Sequence, residues 1–85
     1  MNPQMVSTIS AFWERALGVD GLTPEENFFD LGGDSLVAAK ILALIQREYG
    51  IEAELRLIFD NPTIEEFVDA VGEELAAAPQ RGAGA

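Results

Sequence analysis

Leu31-Gly32-Gly33-Asp34-Ser35-Leu36 runs without a break into Val37-Ala38-Ala39-Lys40-Ile41-Leu42-Ala43-Leu44-Ile45-Gln46-Arg47-Glu48-Tyr49-Gly50. The second part has the period of a helix, from about Ser35 to Tyr49, with Gly50 as its stop. On a helical wheel Ala38, Ile41, Leu42, Ile45 and Tyr49 share one apolar arc, the face of a helix that packs on a core. Lys40 and Arg47 fall on the opposite side, flanked by Leu36, Ala43 and Leu44. The first part is a glycine-bearing turn in which Asp34 or Ser35 can cap the helix. Either way a serine hydroxyl stands at the positive end of a helix, a position that suits a phosphate group.

Outward from that helix the remaining chain reads as further helices. Pro3 to Leu17 carries Met5, Ile9, Phe12, Trp13, Ala16 and Leu17 at helical spacing, with Asn2 as its cap, Pro3 in the first turn and Gly18 as its end. A short turn of helix is expected at about Leu55 to Phe59, closed by Asp60-Asn61-Pro62. The last helix starts from Thr63, with Glu66 completing a capping box, and buries Ile64, Phe67, Val68, Val71 and Leu75. No alternating apolar pattern points to a sheet. The expected architecture is all-α: a small four-helix bundle of three main helices and one short one. Residues 1–76 form the domain, and residues 77–85 form a flexible tail rich in Gly and Ala.

The connection over residues 18–34 is long for so small a domain, which marks it as functional. Thr23, Pro24 and Glu26 suggest a capping box on a single helical turn. Phe28, Phe29 and Leu31 are expected to be buried, packing the loop down.

Composition excludes several functions. The 85 residues contain no Cys and no His, so disulfides, thiolate metal sites, His-based metal clusters and a Ser-His-Asp triad are all ruled out. Fifteen acidic residues against five basic ones, a formal net charge of −10, argue against nucleic-acid binding, which needs a basic face. A hydrophobic fraction of 48% is that of a globular chain rather than an acidic disordered tail. The charge sums to −5 over residues 1–34, +1 over 35–50 and −7 over 51–76, so the serine-bearing helix is the least acidic part. No apolar run is long enough to span a membrane, and no signal peptide opens the chain. A cytoplasmic monomer is expected, without a catalytic residue or a metal site of its own.

Gly33-Asp34-Ser35-Leu36 also matches the signature of a family of serine hydrolases. That chemistry needs a base for the serine proton and a larger α/β scaffold, and the chain supplies neither. The whole run Asn27-Phe28-Phe29-Asp30-Leu31-Gly32-Gly33-Asp34-Ser35-Leu36 instead resembles the thiolation, or peptidyl carrier, domains of nonribosomal peptide synthetases. A second segment, Leu55-Arg56-Leu57-Ile58-Phe59-Asp60-Asn61-Pro62-Thr63-Ile64, resembles their closing motif at the expected distance. The likeness spans about Ile9 to Leu75.

The resemblance implies an acyl-carrier-protein-like bundle that carries 4′-phosphopantetheine on Ser35, attached from coenzyme A by a phosphopantetheinyl transferase with Mg²⁺. The arm's thiol then holds aminoacyl or peptidyl groups as thioesters. Asp34 and Gly33 match the positions beside the modified serine, and Asp34 either orients the transferase or caps the helix. Leu36, Lys40, Arg56 and Leu57 match the family's docking surface, although Leu57 replaces a polar residue and can instead be core. The implied partners are the transferase, an adenylation enzyme, and condensation or tailoring enzymes. The paired Gly32-Gly33 and the basic serine helix favour a peptidyl carrier over an acyl carrier protein of fatty acid or polyketide synthesis. Asp34 in place of His, the initial Met and the Gly-Ala tail favour a discrete, free-standing carrier. From a different class, an unmodified helical interaction domain would use Leu36 and its neighbours as a binding patch.

Overall fold

The computed structural model describes residues 2–77. Within them lie four helices: α1 (Pro3–Leu17), α2 (Ser35–Tyr49), α3 (Leu55–Phe59) and α4 (Ile64–Ala77). The expected all-α bundle is therefore the observed one. Among the described residues, pairing of extended chain is confined to an isolated antiparallel bridge between Asn27 and Thr63. No helix of the described residues is long and apolar enough to cross a membrane.

Local capping chemistry accounts for most helix ends. Asn2 Oδ1 accepts the N–H groups of Gln4 and Met5 at 2.9 and 3.2 Å, meeting donors that have no partner inside α1. Gly18 closes α1 and Gly50 closes α2 at φ of 73° and 68°, left-handed values that cost glycine little. At α4 the Thr63 hydroxyl accepts the Glu66 N–H at 3.1 Å and donates to the Glu66 carboxylate at 3.1 Å, the expected capping box. That helix continues through Ala77, the first residue of the expected tail, because alanine favours helix more than any other residue. The rest of the expected tail, with Arg81, lies outside the described residues.

The helix stripes meet where expected. Ile9 and Trp13 of α1, Ala38, Ile41, Leu42 and Ile45 of α2, Ile58 of α3, and Ile64, Phe67, Val68 and Val71 of α4 are buried together. Helix α1 packs on α2 and α4, and α3 bridges α2 to α4. Trp13 is central, with Phe28 at 5.5 Å and Phe67 at 5.7 Å between ring centroids.

The 18–34 connection is stapled to the helices. Leu22 N–H donates to Glu14 Oε2 at 3.1 Å, Glu65 N–H in the first turn of α4 donates to the Pro24 carbonyl at 3.0 Å, and Phe28 N–H donates to the Pro62 carbonyl at 2.6 Å. Two expectations for this segment are corrected. Residues 23–26 form a β-turn closed by Glu26 N–H on the Thr23 carbonyl at 3.2 Å, not a capped helical turn. A single turn offers too few hydrogen bonds to nucleate a helix. Of the aromatic pair, Phe28 is fully buried but Phe29 is 48% exposed. Phe28 takes the inward place beside Trp13, and Phe29 is left resting on Phe28 and Phe59 at centroid distances of 5.5 and 5.6 Å. Leu31 is half-buried.

Candidate functional site

Ser35 is the first residue of α2 and is exposed. Of the two possible caps, the structure uses Asp34. Its backbone is extended, and its Oδ1 accepts the Val37 N–H at 3.0 Å. The capping bond therefore does not engage the Ser35 hydroxyl. In α-helical geometry the N–H groups of Ser35 and Leu36 have no partner within the helix, and the positive end of the dipole of a 15-residue helix is opposed here by the capping Asp34 carboxylate. A phosphate ester on Ser35 Oγ fits this place in access, with two free N–H donors beside it.

The two glycines before the serine do different jobs. Gly32 has φ of 90°, and a Cβ there would meet open space. Its need for glycine is conformational. Gly33 has no such φ, but a Cβ built on it would sit 2.6 Å from Phe28 Cδ2 and closer still to Cε2 and Cζ. Its N–H also donates to the Phe28 carbonyl at 3.0 Å. The space beside Gly33 is thus filled by a buried ring. A line of contacts runs from Trp13 through Phe28 to the backbone that holds Asp34 and Ser35.

Asn27 orders the stretch just before those residues. Its Oδ1 accepts the N–H of Phe29 at 2.8 Å, and its carbonyl accepts that of Leu31 at 3.1 Å. Burial raises the Tyr49 phenol above its usual value, the Glu48 carboxylate adds to the rise, and a hydrogen bond with Thr8 opposes it. Tyr49 ends α2, far from Ser35, and takes no part in the site.

Among the expected docking residues, Leu36 is 68% exposed and Lys40, one turn on, is exposed as well. Arg56 and Leu57 lie on α3, which packs on α2. They line a groove of about 360 Å³ with Glu52, Glu54, Asp60, Asn61 and Glu74. Leu57 is half-buried against the core while also lining this groove, and its carbonyl accepts Asn61 Nδ2 at 2.9 Å. Two exposed apolar residues escaped the sequence reading, Phe29 and Leu55, the latter 42% exposed. A five-residue helix and an irregular loop offer too little periodicity to tell inward from outward positions.

Asp34 separates two roles by experiment. Asp34→Ala removes the cap and is expected to cost about 1 kcal/mol of stability, whereas Asp34→Asn keeps the acceptor and should unfold at nearly the wild-type denaturant concentration. If Asn also slows modification of Ser35 while leaving stability alone, the carboxylate charge serves the incoming enzyme.

Residues 7–71 match the family model described as a phosphopantetheine attachment site. Over 71 residues, 80% of this chain, the sequence is 41% identical to tyrocidine synthase 3 of Brevibacillus parabrevis. Over 69 residues, 81% of this chain, it is 39% identical to bacitracin synthase 3 of Bacillus licheniformis. The chain spans only about 1% of the length of each of these two relatives. Among solved structures, the peptidyl carrier protein in complex with the phosphopantetheine transferase Sfp and coenzyme A is 37% identical, with 86% of this chain and 94% of that one covered and a TM-score of 0.79. BlmI, a type-II acyl-carrier protein of Streptomyces verticillus involved in bleomycin biosynthesis, is 30% identical, with 85% and 87% covered and a TM-score of 0.81.

Proposed function

Since this chain belongs to the phosphopantetheine-attachment family of carrier domains, we propose that Ser35 is the residue that takes the 4′-phosphopantetheine arm. The observation that carries this is an exposed serine at the first position of a capped helix, with no capping bond on its hydroxyl. Ser35 Oγ attacks the pantetheine-side phosphorus of coenzyme A, the bond to the 3′,5′-ADP leaving group breaks, and the serine proton passes to a base of the transferase, with Mg²⁺ on the diphosphate. Once attached, the arm supplies a thiol that forms thioesters with aminoacyl or peptidyl groups.

The chain's own contribution is to present and to dock. With neither Cys nor His it acts as a non-catalytic carrier, charged by an adenylation enzyme and read by condensation or tailoring enzymes. The domain over residues 1–76 works as a monomer in the cytoplasm, where coenzyme A is at hand. Leu36 and Lys40 form the docking surface beside Ser35, and Arg56 adds a polar contact on α3. Leu57 supports α3 from below. Gly33 and Asp34 hold the serine in place, the first by fitting Phe28 and the second as the cap.

Incubation with coenzyme A, Mg²⁺ and a promiscuous phosphopantetheinyl transferase should raise the intact mass by one phosphopantetheine. The added mass should lie on the tryptic fragment 16–40, in which Ser35 is the only serine. An unchanged mass under conditions that modify a control carrier would favour an unmodified helical interaction domain displaying Leu36 and Phe29.

A further inference from the structure

Three of the four cations among the described residues meet at one place. Arg15 and Ala16 of α1 and Lys40, Ala43, Leu44 and Arg47 of α2 line an open groove of about 380 Å³ with no acidic side chain in its lining. In a chain of formal charge −10 this is a local reversal of sign. The helix dipole accounts for part of it, since Arg15 and Arg47 lie in the last turns of their helices. It does not account for Lys40 at mid-helix, nor for the apolar floor. Leu44 is half-buried, yet it lies outside the set of residues packed against the core.

We propose that this groove docks an acidic amphipathic helix of a partner protein. Ala16 and Ala43 project little, so a third helix can approach the α1–α2 pair closely, and Leu44 offers it an apolar contact. Lys40 and Arg47 are two helical turns apart, about 10 Å along α2, which matches partner carboxylates at i and i+7. Arg15 faces them from the α1 wall. The net negative charge repels an acidic helix at long range, and only at short range does this groove, with three cations and no acid in its lining, hold one. The same repulsion disfavours an anionic lipid surface, which is flat and meets the whole molecule, and disfavours a second copy of this chain. The groove borders the Leu36 surface at Lys40 and extends the contact area away from Ser35.

The test uses the full chain carrying Ser35→Ala, so that its result does not depend on the prosthetic arm. The probe is a synthetic amphipathic helix with Glu at i and i+7 around a Leu face, and its control has Gln in place of Glu. Amide shifts are expected at residues 15–17 and 40–47. Affinity should fall about tenfold in the double variant Arg15→Gln, Arg47→Gln, and fall further as salt shortens the range of the charges. Circular dichroism should show that the double variant keeps its helices. The proposal fails if the Gln control binds equally, if the double variant binds as tightly as its parent, or if shifts appear only near Leu36 and α3. Absence of peptide binding, or binding to phosphatidylserine vesicles in its place, also overturns it.

Discussion

A Ser35→Ala chain incubated with coenzyme A, Mg²⁺ and the transferase is expected to keep the mass of the untreated protein, a complete loss of modification. The fold should survive. Alanine is the best helix former, the first turn tolerates it, and the cap belongs to Asp34 through its bond to the Val37 N–H. Stability should therefore stay within about 0.5 kcal/mol of wild type, as for an ordinary surface substitution. Ser7 and Ser10 remain on α1, but they lie inside a helix, where every nearby N–H is engaged. A mass gain in the variant would place the arm on one of them and remove Ser35 from the site.

Gly33→Ala is expected to produce the second large effect, by a route that never touches the hydroxyl. The added methyl would overlap the Phe28 ring, which is fully buried against Trp13 and has no room to retreat. Overpacking of this kind costs about 1–3 kcal/mol. It also pushes residues 33–35 outward, and a displacement of about 1 Å can slow a positioned reaction a hundredfold. Loading of Ser35 should slow accordingly. Phe28→Ala alone removes a core ring at about 3–5 kcal/mol, but it opens the space that the new methyl needs. The double variant should therefore be more stable than the sum of the single effects predicts, by at least about 1 kcal/mol. Denaturant unfolding followed by circular dichroism measures this coupling, and strict additivity would show that Gly33 does not rest on Phe28. Gly32→Ala is the contrast. Its cost comes from φ of 90° with nothing nearby, so Phe28→Ala should not relieve it.

The distinction between the two glycines shows where sequence reading stops. The helix ends were legible because caps are local: Asn2, Asp34 and Thr63 act within three residues of themselves, and Gly18 and Gly50 act through their own φ. The buried stripes were legible because one helix face repeats every three to four residues. The serine, the acid before it and the exposed Leu36 follow from those same local rules, and the resemblance to carrier domains rests on them. Phe29 was misplaced because a loop has no period, and the 23–26 turn was misread because a capping pattern does not guarantee a helix.

The chain by itself thus determined four helices, the caps at Asn2 and Thr63, the apolar stripes that form the core, and a serine presented at the head of α2. Tertiary structure alone decided which of two neighbouring phenylalanines faces the core and why Gly33 must lack a side chain. It also brought Arg15 to Lys40 and Arg47 on a different helix. The physical reason is range. Caps and periodic faces are set by hydrogen bonds and spacing within a few residues, whereas close packing and the sign of a groove depend on atoms that only the folded chain brings together.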